Sequence, residues 1–93
     1  MIAFVLNYSF WSLPEYMIIT TADLQPGDRV RLVDFGQTDG RYRRRLLSLG
    51  LTRGVDAHIV RRAPLGCPLQ VDVRGTSLML RRDEAALLRW EYL

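Results

Sequence analysis

The sequence predicts a mainly β fold, a small, mostly antiparallel barrel of about five strands with one short helix, and three observations carry that expectation. Short segments that alternate apolar and polar residues recur from Asp28 to the C-terminus, as half-buried strands require. Gly and Pro residues punctuate them. Only one stretch, 41–49, has helical spacing of its apolar side chains. At 93 residues the chain makes one domain with a single modest core, and short strands on this scale are stable as a small barrel.

Each element follows in order. Thr21-Ala-Asp-Leu-Gln-Pro-Gly27 reads as one helical turn ended by a Pro26-Gly27 bend. Asp28 to Phe35 then alternates, with Val30 and Leu32 on one side and Arg29 and Arg31 on the other. Gly36 to Gly40 is a loop. In the helix 41–49, Tyr42, Leu46 and Leu49 share one face while Arg41 and Arg44 point away. Gly50 takes the position after the helix end and lets Leu51 fold back on Leu46, the Schellman pattern. Thr52-Arg53-Gly54 turns into a second strand, Val55 to Arg62, with Val55, Ala57 and Ile59 inward and Asp56 and His58 outward. Beyond the turn 63–68, Leu69, Val71 and Val73 mark a third strand. A reversal at Gly75-Thr76 leads to Leu78 and Leu80 on a fourth. Asp83 and Glu84 open a helical turn near 82–86, where the helix dipole favours their charge, and Leu88, Trp90 and Tyr92 close the chain on a last short strand.

Composition excludes several function classes. All 13 basic residues are arginine, against 10 acids, for a net charge of +3. That balance predicts a locally basic surface, not a polycation. One cysteine, Cys67, and one histidine, His58, cannot build a transition-metal site of the usual three or four ligands. No internal disulfide is available, so a reducing cytoplasm is expected. Residues 1–17 form an apolar, aromatic N-terminal extension without the basic start of a signal peptide, and Asn7, Tyr8, Ser9, Ser12, Pro14 and Glu15 interrupt it too often for a membrane span. Met17 is a second candidate start, and residues 18–93 make up the domain.

Four features are candidates for function. Cys67 lies between Gly66 and Pro68 with no histidine nearby in sequence, which suits a turn thiol better than a nucleophile. His58 sits outward on a strand, and no nucleophile, base and orienter can be assembled around it. The expectation is therefore a protein without catalytic activity. The run Arg41-Tyr-Arg-Arg-Arg-Leu-Leu47 can meet phosphates or carboxylates, with Tyr42 assigned to the core because it shares a face with Leu46. The turn Pro64-Leu-Gly-Cys-Pro68 puts Leu65 at an apex braced by two prolines, and such a pre-organised loop loses little entropy on docking.

Taken together, LQPGDRVRLVDF, RRRLLSLGLTRG, RRAPLGCPLQVDVRG and LMLRRDEAALL resemble the FeoA family, ferrous iron transport protein A, over Thr20 to Tyr92. The order and spacing of the segments are more specific than any one motif. Gly27, the RLLxLG helix end (Arg45, Leu46, Leu47, Leu49, Gly50), Gly54, the Ala63-Pro64-Leu65-Gly66 segment and Leu80-Arg81-Arg82 carry the resemblance. It implies an SH3-like β-barrel, in agreement with the strand count. It also implies a small cytoplasmic accessory, peripheral to the inner membrane only through its partner. That partner is FeoB, the membrane ferrous iron transporter with a cytoplasmic GTPase domain, whose uptake the accessory modulates. No cofactor and no resident metal are implied. The family usually has an aspartate after PLG, where this chain has Cys67, so any contact made by that carboxylate is missing or replaced.

The expected partner-binding residues are Leu65 and Gly66 in the turn, with Arg41, Arg44, Arg61 and Arg62 as a basic rim. Neither nucleic acid nor membrane insertion is expected, and the barrel edges leave room for weak homo-oligomerisation. Three other readings stay open at this point: a basic small barrel that binds RNA or DNA, an SH3-like regulatory domain related to iron-dependent repressors, and a metal carrier.

Overall fold

The computed structural model describes residues 17–64 and 68–93. Six antiparallel strands form one sheet: β1 (Ile19–Thr20), β2 (Arg29–Asp34), β3 (Asp56–Arg62), β4 (Leu69–Val73), β5 (Thr76–Leu80) and β6 (Arg89–Tyr92), in the order β1-β6-β2-β3-β4-β5. The sheet curls into an SH3-like small barrel without a closing ladder between β1 and β5. Among the described residues two helices accompany it, α1 (Gly40–Ser48) and the single turn α2 (Arg82–Ala85), with a 3-10 turn at Thr21–Asp23.

The alternation expected for the strands is observed except at Tyr92 and beyond Val60 in β3. Val30, Leu32, Ala57, Ile59, Leu69, Val71, Val73, Leu78, Leu80 and Trp90 all point into one core, which Leu24, Leu51 and Leu88 complete from the connections. The sixth strand is the addition. β1 has only two residues, Ile19 paired with Trp90 and Thr20 with Arg89, too few to display a period of two.

Helix α1 begins one residue earlier than its apolar spacing indicated, because Asp39 caps it. The Asp39 carboxylate accepts from the Arg41 and Tyr42 backbone N–H groups at 3.1 and 3.2 Å, satisfying donors that a helix start leaves open. The far end is a full Schellman motif: Leu51 N–H donates to the Leu46 carbonyl at 3.0 Å and Gly50 N–H to that of Leu47 at 3.1 Å. Gly50 has φ +98°, and Leu46 and Leu51 are both buried.

Three sequence expectations need correction. The β4–β5 reversal is Arg74-Gly75, both at positive φ, and Thr76 already pairs with Val73; this is the two-residue turn whose twist suits a hairpin. Leu49 is 44% exposed, because as the C-cap it leaves the face that Leu46 buries. Tyr92 is likewise exposed, lying beyond the core at the end of β6.

Candidate functional site

The site begins with the basic residues. On α1, Arg41, Arg43, Arg44 and Arg45 are all exposed, and among the described residues none of these side chains forms an ion pair or hydrogen bond. The one anion at the positive end of α1 is the capping Asp39 carboxylate. The arginines beyond it leave a cationic face open.

Arg61 and Arg62 lie at the end of β3, and the ladder separates their surroundings. Between Ile59 and Arg61 the register against β4 shifts, so Ile59 faces Val71 while Arg61 faces Gln70 and Arg62 faces Leu69. Val60 is the extra residue of this bulge, which reverses the facing of everything after it. Arg61 stays exposed; Arg62 turns to the side of buried Leu69 and is half-buried. Its Nη2 donates to the carbonyls of Ala22 (3.3 Å), Thr21 (3.5 Å) and Leu24. Arg62 is therefore not a surface rim residue in this fold. Its guanidinium ties β3 to the 3-10 turn, a role that strict alternation conceals.

Leu65, Gly66 and Cys67, expected at the apex of the 63–68 turn, lie outside the described residues. The base of that turn is closed by Ala63 N–H donating to the Pro68 carbonyl at 3.1 Å. His58 is exposed on β3 between Arg29 of β2 and Asp72 of β4. Among the described residues no three His, Cys, Asp or Glu side chains come together as a metal-binding group.

Concavities border these elements, and two of them adjoin the arginines of α1 and β3. A groove of about 230 Å³ runs between α1 and β5, with Tyr42, Leu49 and Met79 in its walls and Arg45, Arg81 and Glu84 as its charges. A second, about 50 Å³, lies between Thr21, Leu69, Leu80 and the Arg62 side chain. The Tyr42 phenol is held above its usual pKa of 10.0, first by burial and then by the Glu84 carboxylate, with the Arg81 backbone N–H pulling the other way. Arg45 and Arg81 entered the sequence reading through the arginine run and the family resemblance, not as residues of a binding groove. The available signal was the position of Arg45, three residues after Tyr42 and four before Leu49, at the border of the apolar stripe.

Comparison with known proteins places this geometry. Residues 19–91 match the FeoA domain. The FeoA protein of Chlorobium tepidum is 36% identical with a TM-score of 0.75, over 81% of this chain and 70% of that one. The zinc-complexed FeoA of Stenotrophomonas maltophilia, put forward as an SH3 domain protein and a bacterial ferrous iron transport activating factor, is 27% identical with a TM-score of 0.63, over 75% and 86%. A manganese-dependent transcriptional repressor shares the fold with a TM-score of 0.74 at 16% identity, over 86% of this chain and 38% of the repressor.

Proposed function

The chain belongs to the FeoA family, the accessory proteins of ferrous iron transport, and from that premise we propose that it acts by docking on the cytoplasmic part of a FeoB-type membrane transporter and modulating its GTPase domain. The observation that carries this reading is the uncompensated arginine face of α1. Arginine suits bidentate contact with carboxylates, and the α1 arginines stand exposed with no ion pair among the described residues. Arg41 and Arg44 make the electrostatic contact from α1, Arg61 adds a second contact from the end of β3, and Leu65 and Gly66, outside the described residues, are assigned to the contact from sequence alone. Arg62 contributes by holding the 3-10 turn. No catalytic residue is assigned, and the working location is the cytoplasmic face of the membrane.

Titration against intact transporter in membranes and against its isolated GTPase domain, with and without guanine nucleotide, tests this. Binding that weakens as salt rises supports it; no binding to either preparation in any nucleotide state refutes it. An arginine face also fits phosphates, so a nucleic-acid role is the competing reading. Against it, Tyr42 packs on the core and is approached by the Arg81 backbone, which removes the stacking platform such a role would use.

A further inference from the structure

β5 ends the sheet, and among the described residues no strand pairs with its outer edge. Thr76-Ser-Leu-Met-Leu80 has no charge and no proline, the common devices that blunt an edge strand. In a hairpin closed by a two-residue turn, the pair next to the turn exchanges both ladder bonds, and such pairs alternate along the strands. The register Val73↔Thr76, Val71↔Leu78 and Leu69↔Leu80 therefore aims the backbone groups of Thr76, Leu78 and Leu80 at β4. Those of Ser77 and Met79 face outward, and among the described residues no backbone group bonds to them. Arg81 follows in the same phase and directs its N–H to Tyr42 of α1. The groove between α1 and β5 thus runs along an open strand edge, with Met79 60% exposed.

Charge decides between two occupants. A second copy pairing antiparallel about Leu78 would bring the Arg74 turn of each copy towards the Arg81-Arg82 end of the other, just beyond the ladder, and like charges repel there. The groove has Arg45 and Arg81 against the single acid Glu84, which complements an acidic chain. We propose that this groove takes an extended partner segment that adds as a strand to β5. The segment alternates apolar residues, which pack on Tyr42, Leu49 and Met79, with carboxylates, which meet Arg45 and Arg81. The inference rests on the reading of the chain as a binding module and gives that module a docking site and a ligand chemistry.

The test is an NMR titration of the full chain, labelled with ¹⁵N, using the capped peptides acetyl-EVEVEV-amide and acetyl-RVRVRV-amide. The acidic peptide is expected to shift the Ser77 and Met79 amides saturably and the basic one to leave them in place. Met79→Pro, tolerated on an edge whose N–H faces outward, abolishes the shift at Ser77, the outward amide that the variant retains. If that variant fails to fold, Arg45→Glu with Arg81→Glu decides, because charge reversal at the groove must reverse the peptide preference. Absent shifts at Ser77 and Met79, shifts confined to another surface, or a concentration-dependent dimer that pairs through β5 without peptide would overturn the proposal. A chain that binds the transporter but neither peptide overturns the groove alone. One that binds the acidic peptide at β5 but not the transporter overturns the partner alone.

Discussion

Trp90 Nε1 donates to Thr21 Oγ1 at 3.0 Å, and the same hydroxyl donates to the Ala85 carbonyl at 2.7 Å. Residues 69 apart in sequence are joined in a buried relay that fastens β6, the 3-10 turn and α2 to one another. A hydroxyl is needed because it alone accepts from the indole while donating to the carbonyl. Thr21→Val keeps the shape and leaves the Trp90 indole N–H buried without a partner, at about 1–3 kcal/mol, while the Ala85 carbonyl keeps the Leu88 N–H at 3.2 Å. The expected result in urea unfolding is a lower midpoint with an unchanged slope.

Two glycines should respond unequally to alanine. At Gly50, φ is +98° with nothing near the added Cβ, so Gly50→Ala costs only the left-handed backbone, about 1–2 kcal/mol. Gly36 has φ +56° and in addition its Cβ would run into the Leu87 carbonyl oxygen. Backbone cannot yield as a side-chain tip can, so Gly36→Ala is predicted to lower the melting temperature more than Gly50→Ala.

Arg74 is the one non-glycine residue at positive φ among the described residues, +52° at the first place of the hairpin turn. Asparagine tolerates that conformation better than a long side chain. Arg74→Asn should raise stability by up to about 1 kcal/mol, read as an upward shift of the unfolding midpoint.

Tyr42 gives the fold an alkaline limit. Its pKa is raised in the folded protein by burial and by Glu84, so the folded state holds the phenolic proton more tightly than the unfolded chain does. That stabilisation is complete below about pH 10 and is lost as pH climbs through the folded pKa. Thermal melts between pH 8 and 11 should show a decline above about pH 10 that is smaller in Tyr42→Phe.

Much of this was legible in the sequence for a physical reason: alternation and helix-end chemistry are local. Val30 and Leu32, Leu69 to Val73 and the Leu46–Leu51 closure all follow from neighbours within a few residues. What stayed hidden depends on long-range register. The strand order that sets β6 between β1 and β2, the Thr21–Trp90 bond and the burial of Arg62 each need a partner far along the chain. For Arg62 a single extra residue, Val60, is enough to reverse which way the side chain faces. The arginines of α1 were legible as a charged face, but that none of them forms an ion pair among the described residues is a property of the folded surface.

The central claim is that the α1 arginines bind the transporter and do not serve the fold. It is tested most directly by titrating wild type and Arg41→Glu/Arg44→Glu against FeoB-type transporter in membranes, with unfolding of both proteins measured alongside. The account predicts stability within about 0.5 kcal/mol of wild type and affinity lower by about tenfold or more. Unchanged affinity in a fully folded double variant would contradict it.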